Sequence, residues 1–212
     1  MAQRGSYAKG IAKREEILRA ALEVVARSGV SGASVRTIAD AVGLSQAGLL
    51  HYFDSKQELF TAILRARDDR DRAVVAPLEA GAPPRLEELA DAYVRIVRHN
   101  AEVPGLVRLF SRLAVDASDP PHPAHDYFLE RGEALRGAFL RALEHGQREG
   151  TVTAAVPPES IARMLQAVSD GVQLQWLLDP AVDMAGVVAG VFALLAPGPP
   201  QERDPAPQVT GP

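Results

Sequence analysis

Between Val35 and Tyr52 the chain places apolar residues at offsets that leave few arrangements open. Counting Val35 as the first place, Ile38, Val42, Leu44, Leu49 and Tyr52 fall at places four, eight, ten, fifteen and eighteen. Two short helices that cross and pack need apolar contacts there, a small residue at the crossing and a turn with positive φ. Ala39 is the small residue at place five and Gly43 the turn residue at place nine. Ser34 and Ser45 stand just before the two apolar runs, where a hydroxyl accepts the orphan N–H groups of a first helical turn. The spacing predicts a helix from Val35 to Val42 and another from Ser45 to about Phe53, packed as a helix-turn-helix. An ordinary helical hairpin is the alternative, and seven matches at fixed offsets weigh against it.

In that geometry the outer side of the second helix faces a DNA major groove. Ser45, Gln46, Ala47, Gly48 and His51 then stand near base edges. A Gln46 amide suits paired hydrogen bonds to adenine, and an Ala47 methyl suits contact with thymine. Arg36, Thr37, Tyr52 and Lys56 are placed for phosphates, which position a protein without reading sequence. Core packing is an equal use for Tyr52. The net charge of −4 does not advertise nucleic acid, but its distribution is uneven. Residues 1–56 carry 8 basic and 5 acidic side chains, and the remainder carries 15 and 22. A modestly basic head on an acidic body is compatible with phosphate binding at one end.

The rest of the chain reads as all-α. A flexible arm over 1–10 gives way at Ile11 to a helix, with Ile17, Ala21, Val24 and Val25 at helical spacing, closed at Ser28-Gly29. Asp54-Ser55 opens a fourth helix ending in the charged run RARDDRDR, and GAPP at 81–84 punctuates the chain. Further helices are expected over about 85–100, 104–116, 123–148, 158–178 and 182–195. The segment DPPHP before the seventh is too rich in proline to be helical throughout. The organisation expected is the arm, a DNA-binding unit over 11–71, a ligand and dimer body over 72–196, and a disordered Pro-rich tail over 197–212. The absence of cysteine fits a reducing cytoplasm and removes thiolate metal sites. His122 and His125, with Asp119 and Asp126 nearby, are read as a solvated loop rather than a metal centre, and no cofactor is expected.

The eighth helix is apolar on two faces, one of Ile161, Leu165, Val168 and Val172, the other of Ala167, Gly171, Leu174 and Leu178. The ninth repeats Ala185, Ala189 and Ala193 at four-residue spacing. Such helices must be covered on both sides, so both are expected at a homodimer interface, with burial inside one subunit as the alternative. A pocket is expected among helices five to eight, where Tyr93, Phe110, Phe128 and Trp176 collect, with Gln173 as a polar handle. That lining suits a small apolar or aromatic ligand.

From Ala12 to Leu64 the chain resembles the DNA-binding domain of TetR-family regulators. The resemblance lies in REEIL of the first helix, SVRTIADAVGLS through the second helix and turn, and HYF-x-SK-x-EL leading into the fourth. It departs at Gly48 and Leu50, where the family commonly has Thr and Tyr, so those two contacts are not carried over. The resemblance implies a nine- or ten-helix homodimer without enzymatic activity, usually a repressor released from an inverted-repeat operator by a small molecule. A DNA binder controlled by a partner protein, or an architectural one, is the alternative. No Gly-rich phosphate loop or HExxH helix points to catalysis.

Overall fold

The computed structural model describes residues 2–32, 34–79 and 83–197, and the described residues form nine α-helices and no strand. They are α1 (Ala2–Gly32), α2 (Val35–Ala41), α3 (Gln46–Leu50), α4 (Lys56–Glu79), α5 (Leu86–Asn100), α6 (Pro104–Asp116), α7 (His125–Arg148), α8 (Pro158–Leu178) and α9 (Met184–Ala193). The helical start at Ala2 corrects the arm expected over 1–10. Extending a formed helix adds one hydrogen bond per residue fixed, so a polar segment without proline can continue it. The same helix runs through Ser28-Gly29 to Gly32, because an interior glycine costs only about 1 kcal/mol and does not forbid the conformation. The tail expected over 197–212 lies outside the described residues beyond Pro197.

Two apolar cores hold the helices. The first joins Ile17, Ala21 and Val25 of α1 to Ile38 and Ala39 of α2, Leu49 of α3, and Leu59, Ile63 and Leu64 of α4. It continues without interruption into Leu106, Leu109, Phe110 and Leu113 of α6. α1 packs directly on α6, and α4 runs unbroken through residues 71 and 72. The head is therefore seated on the body rather than strung from it. The second core gathers Leu89 and Val97 of α5, Phe139 and Leu143 of α7, Ile161, Leu165 and Val172 of α8, and Val188 and Phe192 of α9.

Punctuation follows local chemistry. α2 closes with Gly43 at φ +68°, where the Leu44 N–H donates to the Ala39 carbonyl at 2.9 Å and the Gly43 N–H to Asp40 at 3.3 Å. This paired closure absorbs two carbonyls that the helix end leaves open. α7 ends the same way at Gly150, φ +72°. His122 and His125 are half-buried, not freely solvated. His122 Nδ1 accepts from the Ala124 N–H at 3.1 Å, and His125 Nδ1 donates to the Ala117 carbonyl at 2.8 Å, so both brace the proline-rich turn.

Candidate functional site

The helix-turn-helix forms as its spacing requires. Ile38, Ala39 and Leu49 are buried at the crossing, and Val42, Leu44 and Tyr52 pack around it. Ser34 Oγ accepts the Thr37 N–H at 3.1 Å and Ser45 Oγ the Gly48 N–H at 3.0 Å, so both predicted caps are made. α3 is shorter than expected, ending at Leu50, and His51 to Phe53 form a turn.

Arg36, Ser45, Gln46, Ala47, His51 and Lys56 are exposed, and Thr37, Gly48 and Tyr52 are half-buried. Lys56 Nζ sits 5.5 Å from the Phe60 ring centre, and Arg36 lies within 4.0 Å of Asp40. The Tyr52 ring meets His51 edge-on while packing on the head core, so it serves packing first. Leu50 is half-buried against the same core. A second lock lies behind the reading helix. Arg14 of α1 donates to Glu58 at 3.0 Å and covers the Phe53 ring at 4.8 Å. Glu58 also accepts the Asp54 N–H, and its own N–H is capped by Ser55. The first turn of α4 is thus tied to α1 and to the end of the reading unit.

Behind the head, α4, α5 and α7 line a half-open cavity of about 450 Å³. Its wall includes Asp68 and Asp71 from α4, Tyr93 from α5, and Tyr127, Arg131 and Phe139 from α7. This differs from the pocket expected among helices five to eight. Of the five aromatic and polar residues singled out for it, Tyr93 lines the cavity and the others do not. Phe110 and Phe128 stack on each other at 5.2 Å in the head-side core. Gln173 is buried with its amide donating to the Ser169 carbonyl at 3.0 Å, so α8's own backbone is the partner it needed. Trp176 packs on the second core. Helical spacing tells that a side chain turns inward, not which of two cores receives it.

Asp68 organises the cavity's inner wall. It accepts from Arg67 Nη2 at 2.8 Å, the Tyr127 hydroxyl at 2.6 Å and Arg131 Nε at 3.1 Å. Burial alone would raise its pKa, but Arg131, Arg67 and the Tyr127 hydroxyl together hold it below the ordinary value. Burial, reinforced by the Asp68 charge, pushes the Tyr127 phenol up. Asp71 and Asp170 lie above the usual carboxylate range, chiefly through burial. Burial also raises Tyr93, against an opposing hydrogen bond from Ser169. Arg67, Asp68 and Asp71 escaped sequence reading because RARDDRDR looks solvated. The available signal was that Arg67 and Asp71 extend the inward stripe of Phe60 and Leu64 at helical spacing.

The outer side of α8 and α9 is the other unusual surface. Leu178 is 88% exposed, Leu194 81%, Leu174 50% and Met164 47%, beside exposed Ala167, Ala189 and Ala193 and half-buried Gly171. Ala185 is an exception to the expected interface. It is buried with Val188 and Phe192 in its own subunit, because four-residue steps drift around a helix and carry only Ala189 and Ala193 outward. No helix among the described residues is long and apolar enough to cross a membrane.

Comparison with known proteins agrees with this architecture. Residues 17–63 match the family described as "Bacterial regulatory proteins, tetR family". The HTH-type transcriptional repressor AcnR of Corynebacterium efficiens is 30% identical over 169 residues, covering 77% of this chain and 81% of that one. A TetR-family transcriptional regulator from Agrobacterium tumefaciens superposes with a TM-score of 0.70 at 21% identity, over 88% of this chain and 99% of that one. FadR of Thermus thermophilus, a TetR-family repressor solved with lauroyl-CoA, superposes at 0.62 and 21% identity, over 92% and 98%. With the crossed helices, their serine caps and the Gly43 turn all present, this chain belongs to the TetR family of DNA-binding transcriptional regulators, which are not enzymes.

Proposed function

We propose that the protein is a cytoplasmic repressor that binds an inverted-repeat operator as a homodimer and is released by a small molecule in the α4–α5–α7 cavity. The observation that carries this reading is that α4 serves both ends: it is locked to the head through Arg14 and Glu58, and it forms one cavity wall through Asp68 and Asp71. A molecule that fits the cavity better in one tilt of α4 than in the other shifts the spacing of two reading heads. A second copy covers the exposed apolar face of α8 and α9, an arrangement that sets two α3 helices on successive major grooves, about 34 Å apart. The bound lauroyl-CoA of the Thermus relative supports an effector with an apolar body.

The test is operator binding by fluorescence anisotropy, using the inverted repeats upstream of the protein's own gene and its neighbours. The expected result is one dimer per repeat, weakened at least tenfold by a compound that raises the melting temperature. Equal affinity for random duplex at moderate salt would remove the reading.

A further inference from the structure

The cavity's charges do not cancel, and the remainder has a place. Arg67 and Arg131 both lean on the Phe110 ring, at 5.0 and 4.6 Å, and Phe110 is a residue of α6 outside the cavity wall. Both guanidinium groups donate to Asp68, which takes Tyr127 as well. Asp68 is thereby saturated. Among the described residues Asp71, one turn further along α4, makes one ion pair, with Arg67 Nε at 3.9 Å, a nitrogen already donating to Asp68; Arg131 and His99 act on it only from farther away. On the α8 side Asp170 is held by the Gln166 amide at 3.4 Å. Asp170 and Arg67 stand behind the lining, and the lining itself carries Arg65, Arg72 and Arg131 against Asp68, Asp69, Asp71 and Glu130. At the mouth the charges pair off, Arg65 with Glu130 at 3.4 Å and Arg72 with Asp69 at 3.1 Å, all four exposed.

Asp71 lines the cavity together with Tyr93 and Phe139, whose rings meet edge to face at 5.1 Å. Taking the cavity as the effector site, as proposed above, we infer that the effector is an organic cation on an apolar body, with Asp71 as its counter-ion and the Tyr93 ring, backed by the buried Phe139, beside its charged head. Among the described residues Asp71 is the cavity-lining carboxylate that accepts no hydrogen bond; an ammonium group completes it, and ring faces attract cations. Burial already disfavours the Asp71 charge, so a cation next to it recovers what folding lost. An anionic head would have to compete with Asp68 for Arg131 and would sit against the surplus negative charge. The volume of about 450 Å³ suits a drug-sized molecule.

Three probes with one apolar body separate the possibilities: decyltrimethylammonium, 1-decanol and decanoate, each titrated below its aggregation limit into the full-length protein by calorimetry. The ammonium should bind at least tenfold more tightly than the alcohol, with decanoate weakest, and should release operator DNA. Asp71→Asn should erase the preference for the ammonium while changing 1-decanol affinity less than about twofold. Tyr93→Leu, which removes a ring but no charge, should lower ammonium affinity several-fold, and it keeps the test usable if the Asp71 variant does not fold. Tightest binding by decanoate or 1-decanol, with operator release, overturns the cation and leaves the effector site standing. An unchanged ammonium preference in Asp71→Asn overturns it too. Failure of all three probes to bind removes the cation together with the effector site.

Discussion

The Tyr127 hydroxyl of α7 donates to Asp68 Oδ2 of α4 across 2.6 Å, at a point where both side chains are largely shielded from water. The same oxygen accepts Arg131 Nε at 3.1 Å, so one carboxylate on α4 is tied twice to α7. This contact joins the helix that carries the head to the helix that closes the cavity. A ligand that moves one of them works against it.

Asp68→Asn should destabilise the fold by about 3–5 kcal/mol at pH 7, because it removes the nearest counter-charge of the buried Arg67 and the half-buried Arg131. The folded pKa of Asp68 lies below its unfolded value, so its stabilisation is complete above the ordinary carboxylate pKa. The contribution is lost as pH falls from there through the folded value. Urea melts of wild type and variant should therefore converge in strong acid, and a constant gap down to pH 2 would contradict the assignment. Tyr127→Phe, which removes one charge-assisted bond, should cost about 1.5–3 kcal/mol at neutral pH.

Gly43→Ala tests the turn. A Cβ at this position meets nothing within 4 Å, so the penalty arises only from the backbone at φ +68°. The expected loss is about 1–2 kcal/mol, read by chemical denaturation. A neutral result would mean that α2 and α3 reach the same crossing through another turn.

Gln46 and Lys56 should behave differently on DNA. Gln46→Ala is expected to relax base preference at one position of each half-site, at a cost of about 1–3 kcal/mol there. Lys56→Ala should weaken binding to all sequences alike and reduce the salt slope by about one. Selection from a randomised operator pool, followed by titration at several salt concentrations, distinguishes the two; matching profiles would displace α3 as the reading helix.

Leu178→Glu should yield a folded monomer, since this side chain is 88% exposed within the subunit and loses nothing internal. Sedimentation should show dimer association weakened by about a hundredfold or more, with helicity retained and operator affinity reduced. A dimer of undiminished strength would place the interface elsewhere.

The reading head was legible in the primary sequence because its constraints are local. Ser34 and Ser45 cap within three residues of themselves, Gly43 closes a turn of six, and Ile38, Ala39 and Leu49 meet across a few residues of chain. Offsets of that kind survive in a single sequence. So did the two-sided character of α8, whose inner stripe is Ile161, Leu165 and Val172 and whose outer stripe is Ala167, Leu174 and Leu178. Ala185 misled, because a spacing of four describes a spiral rather than a line.

What the sequence alone determined is therefore the order of the helices, the serine caps of α2 and α3, and the hidden faces of α2, α3 and α8. Where those faces meet was decided only by the tertiary structure. Asp68 and Tyr127 are 59 residues apart, and neither has a neighbour in sequence that announces the other. Burial of a charged residue depends on partners brought in from distant helices, and a charged run reads as solvated until those partners are known. The cavity belongs to this second kind of information. It is a space left between three helices, and no single helix encodes it.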